Sequence, residues 1–160
     1  MVLLINSCHS KNENKVIEYY SDGSIKTITN IKEGKSKRTF YFDSLGNCSK
    51  IIKVNAKDKY QGEQLWFENG ILNDKTNYKN GLPDGHSYEF YQSGALKSSR
   101  FLIDGLEYEL GIDYWDTKVE VVKNSLYFND NGQIYFKQKF DSLSNFIGEE
   151  GVKPKFLFNK

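Results

Sequence analysis

Few side chains in this sequence have the types and spacing that chemistry requires. His9 and His86 are the only histidines, and Cys8 and Cys48 the only cysteines, among 160 residues. No group of His, Cys, Asp and Glu has the spacing of metal ligands. His9 lies in the polar stretch "HSKNENK", and His86 follows "PDG", where a solvent-facing turn residue belongs. Cys48 occupies a column otherwise filled by Ile and Leu, so it reads as a small core hydrophobe. The acidic group Glu107, Glu109, Asp113, Asp116 and Glu120 comes nearest to a cation site or a pair of glycosidase carboxylates. In a strand, Glu107 and Glu109 would share one face, although a solvated acidic face is the plainer reading. "FNDNGQ", at Phe128 to Gln133, has the Asp and Asn spacing of a calcium loop without its downstream Glu, and reads as a hairpin turn. No catalytic residue, metal ligand or cofactor is assigned, and the expectation is a protein that is not an enzyme.

The elements around these residues follow a repeat. Aromatic pairs precede glycines at Tyr19-Tyr20 and Gly23, Tyr41-Phe42 and Gly46, Trp66-Phe67 and Gly70, Phe90-Tyr91 and Gly94, and Tyr127-Phe128 and Gly132, with spacings of 23, 24, 24 and 38. The second residue after each glycine is apolar (Ile25, Cys48, Leu72, Leu96, Ile134), and so is the eighth (Ile31, Val54, Tyr78, Leu102, Phe140). The eleventh is Gly34, Lys57, Gly81 and Gly105 in the first four units and Leu143 in the fifth, where "DSLSN" is expected to make the turn. Asn-Gly, Asp-Gly and Ser-Gly steps supply the positive φ of tight hairpins, and apolar positions between them alternate as in half-buried strands. The fold class expected is all-β: an elongated antiparallel meander of about five hairpin repeats of 23–24 residues.

Composition agrees with this. Aromatics make up 15% of the chain against 38% hydrophobic residues in all, a balance that favours strands. With 22 basic and 21 acidic residues, a net charge of +1 and only Arg38 and Arg100 as arginines, a nucleic-acid partner is not expected. No apolar run approaches the length of a spanning helix. "MVLLINSC" is similar to the end of a bacterial lipoprotein signal, with Cys8 as the lipidated residue and 1–15 as truncated signal and tether. The repeat domain is expected over 16–142, with an insertion at 106–125, and a C-terminal tail over 143–160 that closes the last sheet edge or stays loose.

The unit of aromatic-aromatic-x-x-Gly-x-Leu followed by Tyr-x-x-Gly resembles the bacterial MORN-variant repeat. It is most complete in "LWFENGILNDKTNYKNGLPDGHSYEFYQSGALKSSRFLIDG" and weaker from Lys15 to Phe140. The resemblance implies β-hairpin arrays used as binding or scaffolding surfaces; family members include proteins labelled antitoxins and exported lipoproteins. The expectation is thus a protein-binding or scaffolding protein, placed in the cell envelope through a lipid on Cys8 and otherwise cytoplasmic. The alternatives are an antitoxin or immunity protein that neutralises a toxin and a glycan-binding surface lipoprotein. Tyr19, Phe42, Phe67, Phe90 and Phe128 are expected in the core, with Tyr20, Tyr41, Trp66, Tyr91 and Tyr127 lining the other face. Trp66, Tyr91, Tyr114 and Trp115 are the expected partner-binding anchors.

Overall fold

The computed structural model describes residues 2–5, 13–32 and 36–155; the lipidation candidate Cys8 lies outside them. Among the described residues there are fourteen strands and no α-helix. The chain forms two compact units, Met1–Leu82 and Pro83–Lys160. The first contains β1 (Val2–Ile5), β2 (Glu13–Tyr19), β3 (Ile25–Lys32), β4 (Lys37–Phe42), β5 (Cys48–Val54), β6 (Gly62–Glu68) and β7 (Ile71–Lys79), each paired antiparallel with the next. The second begins within β8 (Leu82–Phe90) and continues with β9 (Leu96–Ile103), β10 (Leu106–Glu107), β11 (Leu110–Tyr114), β12 (Val122–Phe128), β13 (Ile134–Phe140) and β14 (Phe146–Gly151). Here β9 pairs with β8, β10 and β11, and the order then runs β11–β12–β13–β14. The antiparallel meander expected from the repeat is the architecture found.

Two turn designs make the hairpins. Asn69-Gly70, Asn80-Gly81 and Asp104-Gly105 have positive φ at both residues, the signature of the two-residue type I′ turn. The other design is a five-residue frame. Its first N–H donates to the fifth carbonyl and its fourth N–H to the first carbonyl, as at Asp43–Asn47, Asn55–Lys59, Asn129–Gln133 and Asp141–Asn145. The fourth residue is left-handed: Gly46, Asp58, Gly132 and Ser144 in these frames. The repeat column had placed the turn of the second unit at Lys57. The left-handed residue is Asp58, a residue type that tolerates this conformation better than most. "DSLSN" makes its turn as expected, with Ser144 at φ 66°.

The opening Asp or Asn side chain of these frames also clamps the turn. Asp43 Oδ1 accepts from the Leu45 and Asn47 N–H groups at 2.9 Å each, and Asp141 does the same with Leu143 and Asn145. The Asn47 backbone bond holds Asp43 below the ordinary carboxylate range, and the Asn145 side chain and backbone do so for Asp141. A depressed folded pKa gives a contribution that is present above the unfolded value of about 4 and lost as pH falls through the folded value. NMR titration of the Asn47 and Asn145 amides should therefore show these turns loosening only below pH 4.

The insertion at 106–125 proves to be mostly sheet. It supplies β10, β11 and the start of β12, with Trp115–Val121 as the connecting turn. The expectation that Glu107 and Glu109 share a strand face is corrected. β10 ends at Glu107, and Glu109 takes φ 57°, which breaks the alternation. The tail forms β14 on β13. There Gly151 is required, because at φ 92° a Cβ would lie 2.1 Å from the Tyr135 carbonyl oxygen.

Directly paired residues project from the same sheet face, so register sorts the side chains. In the first unit one face carries the ladder Ile17, Ile28, Phe40, Ile51 and Leu65 over five strands. The opposite face carries Thr27, Tyr41, Lys50 and Trp66 in one row, and Gln64 with Thr76 in another. Gln64 is fully buried. Register pairing between β5 and β6 covers only Lys50–Trp66 and Ile51–Leu65, and beyond it the Gln64 amide takes over the backbone's role. Its Oε1 accepts from the Lys53 N–H at 2.6 Å and its Nε2 donates to the Lys53 carbonyl at 2.7 Å.

Candidate functional site

The aromatic pairs of the repeat do not keep a constant phase. Tyr19, Phe42, Phe67, Phe90 and Phe128 each sit where the ladder shifts register ahead of the turn. Phe128 is buried and the other four are half-buried. Their companions divide. Tyr41, Trp66 and Tyr127 precede the shift inside a strand, whereas Tyr20 and Tyr91 follow it as the first residue of a five-residue turn. None of the companions is an exposed rung. Lys50 Nζ lies 4.4 Å from the Tyr41 ring centre, Trp66 leans on Tyr78, and Tyr127 packs against Phe136.

The tyrosines at turn positions act as latches between successive hairpins. Tyr20 Oη donates to the Phe42 carbonyl at 2.8 Å, and Tyr91 Oη to the Tyr114 carbonyl at 2.8 Å. Trp115, which opens the Trp115–Val121 turn, donates through Nε1 to the Phe140 carbonyl at 3.2 Å. Removing one such hydrogen bond while keeping the ring, as in Tyr91→Phe, should cost about 1 kcal/mol. Urea denaturation checks this, with Tyr41→Phe as a control whose hydroxyl has no such role.

These latches bring three of the four expected anchors together. Tyr114 is buried, at 8% exposure, and supplies the carbonyl that Tyr91 grips. Trp115 is half-buried, with Lys123 Nζ 4.6 Å from its ring centre. Trp66 belongs to the first unit, where its ring lies 6.2 Å from that of Tyr78, which in turn meets Tyr60 edge-on at 5.2 Å. Burial, then the nearby Asp74, pushes the Tyr78 hydroxyl up, keeping this cluster neutral.

Two clefts flank the corner of the second unit. One, of about 370 Å³, lies between adjacent turns, with Ser93, Gly94 and Ala95 on one side and Asp116, Thr117 and Lys118 on the other. Ser93 Oγ donates to Asp116, tying the turns together. Thr117 Oγ1 donates to the Val119 carbonyl at 2.6 Å, which holds up the turn's tip, where Val119 is 70% exposed. The other cleft, of about 310 Å³, runs over the sheet face that carries Glu89, Tyr91, Lys97, Arg100, Asp113 and Lys123. Lys97 pairs with Glu89 at 3.1 Å, and both are half-exposed.

The floor of this cleft is Arg100, 15% exposed. It pairs with Asp113 and, at 3.5 Å, with Glu107, and donates to the Ser99 and Ile112 carbonyls at 2.8 Å each. Asn124 Nδ2 donates to the second Asp113 oxygen at 2.8 Å. Gly111 makes room for the arginine stem, since a Cβ there would lie 2.7 Å from Arg100 Cδ and 2.9 Å from Phe128 Cε2. Two carboxylates of the acidic group singled out in the sequence are therefore charge partners of one arginine, and Asp116 accepts from Ser93 of the neighbouring turn. The spacing of Arg100 from Asp113 holds no signal that they meet; only the pairing of β9 with β11 brings them together.

His86 stacks on Tyr88 at 5.8 Å and meets Phe101 edge-on at 5.1 Å. Cys48 pairs with Phe42 across its hairpin, and burial pushes its thiol up, away from the reactive thiolate. Among the described residues no group of three or more His, Cys, Asp and Glu is placed to hold a metal ion. No protein-family model matches the chain, and comparison with curated proteins finds no relative.

Proposed function

We propose that the chain is a non-enzymatic, MORN-variant-like repeat protein that binds another protein through the aromatic corner of its second unit. The observation that carries this reading is that Tyr91 lines one cleft while Trp115 opens the turn that lines the other, with the turns cross-linked. Fixed turns lose little entropy on binding, and the clefts offer both charges together with an exposed apolar tip at Val119. Tyr91 and Trp115 give the corner its rigidity, and the residues that meet the partner are Lys97, Lys118 and Val119.

The experiment is affinity capture from the host's lysate with the wild type and a Lys118→Glu/Val119→Ser variant. Deleting 106–125 would remove β10 and β11, so substitutions in the exposed turn are the better choice. One protein captured stoichiometrically by the wild type and lost with the variant supports the reading. Equal capture by both, in a variant with unchanged thermal unfolding, contradicts it. On the same reading Cys8 carries a lipid anchor; membrane fractionation unchanged in Cys8→Ala would remove that part alone.

A further inference from the structure

The face of the second unit opposite the Arg100 cleft has a different chemistry. Register places Phe101 opposite His86, Ile103 opposite Leu106, and Leu110 opposite Tyr127, all on one side. Towards β13 this side is covered, since Phe136, opposite Tyr127, is 1% exposed. Towards β9–β11 it is bare: Phe101, Ile103, Leu106, Tyr108 and Leu110 are between 38% and 49% exposed. Five such side chains form an apolar patch on the order of a few hundred Å², a size that marks interaction sites on soluble domains.

The rim of this patch is acidic. Asp104 follows Ile103 in the β9–β10 turn, Glu109 stands between Tyr108 and Leu110, and Asp130 belongs to the turn whose Gly132 abuts Leu106. All three acids are exposed, and among the described residues none is in an ion pair. No Lys or Arg occurs from Phe101 to Thr117 or from Asn124 to Phe136, although the whole chain has a net charge of +1. The negative charge is thus local: no Lys or Arg in these stretches neutralises it, and the basic side chain beside the patch is His86, opposite Phe101.

The geometry points to this patch as a docking surface for a basic, apolar segment of another protein, one that lays aliphatic or aromatic side chains on Phe101, Ile103 and Leu110 with Lys or Arg against Asp104, Glu109 and Asp130. Charge complementarity selects this occupant over a second copy of the chain, because two-fold pairing of the patch would bring the acidic rims together. The inference is independent of the corner at Trp115, which lies at the other end of β11.

The test uses the full chain and a synthetic decapeptide alternating Lys with Val and Leu, with two control peptides: one with Glu for Lys and one with Ser for the apolar residues. Calorimetric titration should show saturable binding of the first peptide only, weakening as salt rises. Glu109→Lys/Asp130→Lys and, separately, Ile103→Thr/Leu110→Thr should each weaken it about tenfold, which corresponds to about 1.4 kcal/mol. These replacements keep strand propensity or lie in turns, and circular dichroism confirms folding. Equal binding of the Lys-Ser peptide, or binding unchanged in both variants, would overturn the inference. So would a dimer in sedimentation that Ile103→Thr/Leu110→Thr dissolves, or patch-dependent adsorption to neutral phosphatidylcholine vesicles.

Discussion

Gln64→Ala is expected to destabilise the protein by about 2–4 kcal/mol, the combined effect of a void and of buried backbone groups deprived of partners. Gln64 is fully buried, and its amide both donates to and accepts from the Lys53 backbone where β5 and β6 stop pairing. The Lys53 carbonyl keeps a bond from the Gln61 N–H at 3.0 Å, so the orphan is the Lys53 N–H. Gln64→Met separates the causes, since it fills the volume without bonding; it should recover the void term only and stay about 1–2 kcal/mol below wild type. Gln64→Glu should be no better than Ala, because it turns an acceptor towards the Lys53 carbonyl and buries a charge. Urea denaturation followed by circular dichroism measures all three. A Gln64→Ala loss under about 0.5 kcal/mol would mean that water replaces the amide.

Arg100→Met should cost about 3 kcal/mol, the low end of the loss for breaking a buried ion pair, because Asp113 retains the Asn124 amide. Methionine keeps much of the apolar stem that lies across Gly111, so the loss reports the guanidinium. Removing the orphaned charge as well, in Arg100→Met/Asp113→Leu, should restore much of the stability, since an apolar pair of similar volume replaces buried charges with little penalty. A double variant as unstable as the sum of the single ones would show that Asp113 contributes through Asn124 and not through Arg100.

How much of this was legible in the sequence follows from what each residue interacts with. The turns were readable because a left-handed residue is most often Gly, Asn or Asp, Ser144 and Glu109 being the exceptions, and the preference is met within the turn itself. Strand alternation was readable for the same reason. Asp58 leaves no mark in the repeat column, which falls on Lys57, because its frame accepts a non-glycine. The split of the aromatic pairs follows their distance from the glycine, three residues for Tyr20 and Tyr91, four for Trp66 and five for Tyr41 and Tyr127; it carries meaning only once the register shift ahead of the turn is located. Gly111 and Gln64 carry no local mark. Each is explained by a partner from another strand, Arg100 in one case and the Lys53 backbone in the other. At the candidate site, Trp115 and Tyr91 stood out by type. That Tyr91 and Trp115 grip backbone carbonyls 23 and 25 residues onward is knowable only from the way the hairpins stack.

The proposed binding corner is tested most directly by hydrogen–deuterium exchange on the chain alone and in complex with the protein it captures. Slowed exchange at Ser93–Ala95 and Asp116–Lys118, with the ends of β9 and β12 following, is the predicted result. Protection confined to the first unit, or a saturated complex that leaves both turns exchanging as in the free chain, would contradict it.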